Sequence, residues 1–153
     1  MTTTSRAPAV IDALVALCRA APALDGVAVH DGPHVTSSPL KAVVCIGWDG
    51  DEDNDAAVEA QQEWASIGQK AKNETLQVTC AAVAWNGGTV TKTARDRAYA
   101  LVGAVEDALR SDPALGFPPP TIVAMTTGNA FQRQDAGGVQ CRVVFTVAVH
   151  TRI

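Results

Sequence analysis

The amino-acid sequence predicts an α+β fold: a mostly antiparallel β-sheet with two α-helices packed on one face. Two observations carry this. Valine-rich stretches that alternate with a period of two outnumber the helical stretches and come in runs. The stretch GGVQCRVVFTVAVHTRI follows another extended stretch across a glycine turn, as the second arm of a hairpin would. A length of 153 residues suits a single domain spanning residues 1–153.

The elements follow in order. Ser5 is placed to cap a first helix, with Pro8 tolerated in its opening turn. Val10, Leu14, Leu17, Cys18 and Ala21 recur at helical spacing, and Pro22 ends the run. Residues 26–33 read as a short strand and a turn, and Pro39 and Lys41 lead into a second strand over residues 42–48. An acidic block, DGDEDND, then reads as a mobile, solvated loop. Residues 61–67 are expected to form a strand, and residues 74–85 a clearer one, with Leu76, Val78, Cys80, Ala82 and Ala84 on one face. Asn86-Gly87-Gly88 breaks it. The second helix is expected to start at Thr93, with Asp96 in a capping-box position. Ala98, Leu101, Val102, Val105 and Leu109 form its buried stripe, and Glu106 and Arg110 pair outside it. Phe117-Pro118-Pro119-Pro120 is a stiff connector into two long strands, residues 121–132 and 139–151.

Composition excludes several classes. A net charge of -4 argues against a freestanding nucleic-acid binder. No apolar run approaches the ~20 residues of a membrane span, so no membrane partner is expected. The opening MTTTSRAPAV does not read as a secretion signal, and synthesis in the cytoplasm is expected. Cys18, Cys45, Cys80 and Cys141 lie in apolar patterns without close pairs, so they read as reduced, buried side chains.

The search for chemistry finds no enzyme and no cofactor site. Asp49, Asp51 and Asp53 fall at the first, third and fifth positions of a calcium loop, but Asn54 stands where the turn needs glycine and Ala60 where a glutamate is needed. His30 to His34 reads as a strand exit with polar edges rather than a metal cluster. No nucleophile elbow or phosphate-binding loop is present.

The last strand is more informative. Val139, Cys141, Val143, Phe145, Val147 and Val149 share one apolar face. Gln140, Arg142, Val144, Thr146, Ala148 and His150 share the other, which is neither charged like a solvated face nor apolar like a core. That face suits either contact with another subunit or ordinary solvation. Arg142, Val144 and Thr146 are therefore candidate interface residues. Trp48 and Trp85 end strands, where they plug the sheet or anchor a neighbour. Gly103 lies with Tyr99 on the outer side of the second helix, through drift at a tolerant site or close approach of another chain.

The whole pattern resembles the tail terminator proteins of long-tailed bacteriophages. The matching pieces are APAVIDALVALCRAAP, VAVHDGP, KAVVCIGW with its acidic loop, LQVTCAAVAWNGG, TARDRAYALVGAVEDALRSDPALG and GGVQCRVVFTVAVHTRI. The resemblance implies a tail-terminator-like subunit of a ring, typically a hexamer, without enzyme activity or cofactor. Such a ring sits in the virion at the head-proximal end of the tail tube. Its implied partners are copies of itself, the tail tube protein and the head-tail connector or head-closure protein, with genome DNA passing through without specific binding. Asp49, Asp51, Glu52, Asp53 and Asp55 are then expected on the lumen or a ring surface, where like charge repels DNA. A head-closure or tail tube protein is the nearest alternative, and a cellular α+β enzyme or ligand-binding domain a more distant one.

Overall fold

A computed structural model describes residues 3–34 and 41–153, so Pro39 lies outside the described residues. Helix α1 (Ala7–Ala20) buries Val10, Leu14, Val15 and Cys18. Val10, Leu14 and Cys18 belong to the expected stripe; Leu17 is only half-buried, Ala21 lies just past the helix, and Val15 joins the buried side instead. Its N-cap is Arg6 rather than Ser5. The Ser5 hydroxyl nevertheless accepts the Ala7 N–H at 3.0 Å, and it donates to the Glu74 carboxylate. A 3₁₀ turn (Pro22–Leu24) then leads to strand β1 (Ala28–Asp31). Strands β2 (Ala42–Ile46), β3 (Val58–Trp64) and β4 (Lys72–Asn86), helix α2 (Thr91–Ser111), and strands β5 (Ile122–Asp135) and β6 (Gly138–Arg152) follow.

Among the described residues six strands form one sheet, ordered β1-β2-β4-β6-β5, with β3 also paired to β4. The pair β1–β2 is parallel and the others are antiparallel. Strands β2 and β3 lie along the same edge of β4. Ile46 stands opposite Cys80 and Val58 opposite Val78, so residues 47–57 all leave and rejoin the sheet opposite Thr79. The junction is closed by Gly47 N–H to the Thr79 carbonyl (2.7 Å) and Thr79 N–H to the Ala57 carbonyl (3.0 Å). In effect β2 and β3 are one strand interrupted by the acidic loop.

Several expected boundaries move. Strand β2 stops at Ile46 rather than residue 48, so Trp48 stands in the acidic loop and not at a strand end; Gly47 leaves the strand at φ +79°. Strand β3 begins three residues before residue 61, because its register with β4 starts directly after the acidic loop. Residues 65–67, expected in the strand, turn back toward β4, and Gly68 takes a φ of +82° there. Helix α2 begins at Thr91, with Val90 at its N-cap and no side-chain cap. Asp96 is engaged instead by Lys92, one turn earlier on the helix surface. The expected Glu106–Arg110 pair forms at 3.0 Å.

Both helices pack on one face of the sheet. The core joins Val10 and Leu14 of α1, Leu101 and Val105 of α2, and Leu76, Val78, Phe145 and Val147 of β4 and β6. Each such side chain contributes roughly 1.5–3 kcal/mol by leaving water. Cys18, Cys80 and Cys141 are free and buried in this helix-covered layer. Burial pushes the Cys18 thiol up to about 11 and the Cys80 thiol to about 12.

Candidate functional site

The face away from the helices is built in rows across the strands. Register places His30, Cys45, Ala81, Val144 and Asn129 in one row, and Val43, Val83, Arg142 and Phe131 in the next. Thr79 and Thr146 form a third. The side chains of β6 on this face are half-buried up to Ala148, whereas those on the helix side are fully buried. His150 is exposed, its Nδ1 3.2 Å from the Thr75 hydroxyl.

The acidic loop folds onto this face. Contrary to the expected mobile segment, it is held by its own hydrogen bonds. The Trp48 indole N–H donates to the carbonyls of Asp51 (3.1 Å) and Asn54 (3.0 Å). The Asp49 carboxylate accepts the Asp51 N–H and the Asn54 side-chain amide, both at 2.8 Å. The Asp51 carboxylate accepts the Asp53 N–H at 3.0 Å. Short aspartates satisfy backbone donors two residues on, which turns the chain without regular structure. The five acids therefore divide. Asp49 and Asp51 are half-buried and engaged in the loop, whereas Glu52, Asp53 and Asp55 are exposed.

Arg142 ties the loop to the sheet. Its Nη1 donates to the Asp49 carbonyl at 2.6 Å, and its guanidinium lies 4.6 Å from the centroid of the Phe131 ring. Gly50, at φ +79°, sits so close that an added Cβ would stand 2.8 Å from Arg142 Cδ and 3.6 Å from Ala81 Cβ. Cys45 and Ala81 are 2% and 0% exposed although they face away from the helices.

The structure gathers Trp48, Arg142, Val144 and the five acids on and around this face, with Thr146 one row further along. It separates the others. Trp85 lies at the end of β4, in a cleft of ≈ 430 Å³ shared with Asp25, Lys41 and Arg97. Tyr99 and Gly103 lie on α2, in the layer on the opposite side of the sheet. Tyr99 is exposed there, and a Cβ on Gly103 would meet nothing within 4 Å.

Sequence reading missed three features. Trp64 and Ile67 are 64% and fully exposed at the β3–β4 hairpin, a pair concealed by the late strand boundary. Phe131 is a large exposed side chain on β5, signalled only by an aromatic among polar neighbours. Glu74 is buried beside the start of α1. Its carboxylate accepts from the Ser5 hydroxyl, the Arg6 N–H (2.8 Å) and the Gln62 amide (2.9 Å). Burial alone would raise its pKa; these bonds and the Arg6 charge outweigh that and hold it below the ordinary 4.5.

His30 and His34 stack with ring centroids 3.5 Å apart. Burial, then the neighbouring His34 and Arg19, lowers the His30 pKa from its ordinary value. Among the described residues no group of three or more His, Cys, Asp or Glu is placed to hold a metal ion. No helix among them is long and apolar enough to cross a membrane.

The fold and this face define an α+β sheet protein with one helix-covered side and one loop-strapped side. No family model matches the chain, and no curated protein matches it. Among solved structures it is similar to a chain of the virion of the native gene transfer agent (GTA) particle. The TM-score is 0.62 at 16% identity, covering 97% of this chain and 100% of that one. At this identity the likeness is one of fold.

Proposed function

We propose that this protein is a structural virion subunit that closes head-to-tail with copies of itself into a ring. The observation that carries this reading is the sheet itself. Its β1 and β3 strands leave one edge without a partner among the described residues, and β5 leaves the other. Long unpaired edges template pairing with another chain, and monomers usually blunt them. Two different edges on opposite sides give a heterologous contact, which closes into a ring when the rotation permits. The outer faces of the edges differ in charge: Glu59 and Glu63 lie on β3, whereas β5 carries Arg133 and Asp135, one charge of each sign. The fold-level likeness to a virion chain over nearly the whole length supports the same reading.

At finer detail, the ring is the tail terminator at the head-proximal end of a phage tail tube. It is six copies around, stops tube growth, joins the head connector and has no catalytic role. The outer-face residues Arg142, Val144 and Thr146, together with Trp48 and Trp85, then serve subunit contact. Tyr99 and Gly103 serve a contact of the helix layer. Glu52, Asp53 and Asp55 face the lumen or a ring surface, where they repel passing DNA.

Electron microscopy of the purified protein tests the proposal. Discrete closed rings are expected, and their addition to growing tail tubes arrests elongation at one end. Long polymers of the protein alone would make it a tube protein instead, and a monomer at every concentration would overturn the ring. Replacing Asp53 and Asp55 with asparagine leaves rings intact if these acids face the lumen. Loss of rings gives the loop an assembly role.

A further inference from the structure

We infer that residues 47–57 form a strap closed over the outer sheet face, and that Arg142 is its clasp. The strap is internally bonded through Trp48, Asp49, Asp51 and Asn54, so it moves as a unit. At its roots it is tied by the two backbone bonds to Thr79. Between the roots, among the described residues, the side-chain hydrogen bond from strap to sheet is Arg142 to the Asp49 carbonyl.

The strap covers something. Cys45, Ala81 and Val144 form one row across β2, β4 and β6, away from the helix-covered core. Cys45 and Ala81 are buried; the strap backbone at Gly50 lies against Ala81, and Cys45 is Ala81's neighbour across the β2–β4 pair. Gly47 and Gly50 both take φ near +79°, a conformation that places the strap flat on the sheet and that other residues resist. Phe131 holds the Arg142 guanidinium in place by stacking under it. Because the acceptor is a carbonyl and not a carboxylate, the clasp is a directional hydrogen bond rather than an ion pair. Opening the strap uncovers the row at Ala81, next to Cys45. This does not depend on the ring reading.

Cys45 is a built-in reporter. Pulsed N-ethylmaleimide labelling of the full chain, with each thiol located by peptide mass spectrometry, reads strap opening at Cys45. Cys18, Cys80 and Cys141, buried on the helix side, read global opening. Arg142→Ala is expected to raise Cys45 labelling about tenfold with the other three thiols unchanged. Gly50→Ala, which forces a Cβ against Arg142, is expected to act in the same direction. Asp53→Asn leaves labelling unchanged, since that carboxylate makes no hydrogen bond among the described residues. Unchanged Cys45 labelling in Arg142→Ala overturns the clasp, as does a parallel rise at all four cysteines. Sedimentation of the same samples reports assembly separately, so failure of the ring and failure of the strap are distinguishable.

Discussion

The two faces of strand β6 differ in what covers them. On one face Val139, Cys141, Val143, Phe145, Val147 and Val149 are at most 1% exposed, against the helices. On the other, Arg142, Val144 and Thr146 are half-buried, and the acidic strap is tied down at Arg142. Alternate residues of one strand therefore sit in different surroundings. One set folds the subunit, and the other leaves a surface whose composition suits neither water nor a core. A change on the first face should act on stability, and a change on the second on contact.

The largest expected effect lies on the core face. Phe145→Ala should cost about 3–5 kcal/mol in chemical unfolding, through lost burial and the cavity left behind. Its neighbour Thr146→Ala should stay within ~0.5 kcal/mol. Equal losses at both positions would erase the difference between the faces.

Glu74 comes next. Glu74→Ala leaves the Ser5 hydroxyl, the Arg6 N–H and the Gln62 amide without their acceptor, and should cost about 2–3 kcal/mol. Its pH signature is specific. The folded carboxyl binds its proton less readily than the unfolded one, so its contribution is full above about pH 4.5. That contribution is lost as pH falls through the lowered folded value. Unfolding measured from pH 6 to pH 3 should show the loss, and Glu74→Gln should lack that component.

The smallest effect belongs to the outer side of α2. Gly103→Ala should stabilise the subunit by up to about 1 kcal/mol, because alanine is the better helix former and its methyl meets nothing within 4 Å. If the same variant weakens assembly, the helix layer is also a contact surface; unchanged assembly leaves contact to the sheet.

The periodicities that separate these faces were legible in the chain. Both helices, the long hairpin, the alternation of β4 and the sharing of one face by both helices stand as expected. What the sequence concealed depends on distant partners. The start of β3 is set by its register with β4, not by its own residues. The order in the acidic loop comes partly from Arg142, far along the chain, and from Trp48 folding back on the loop. A run of acids looks solvated until the donors that two of them satisfy are in view. Glu74 looked like a strand's first residue because its partners lie at the start of α1 and on β3. Of the candidate interface residues, alternation alone placed Arg142, Val144 and Thr146 on the outer face.

The claim that the outer face serves contact and not folding is tested most directly by one variant, Val144→Arg with Thr146→Arg, followed by sedimentation velocity at matched folded concentrations. Wild type should sediment as a closed oligomer, and the variant as a folded monomer with native circular dichroism. A variant that sediments like wild type would contradict the account.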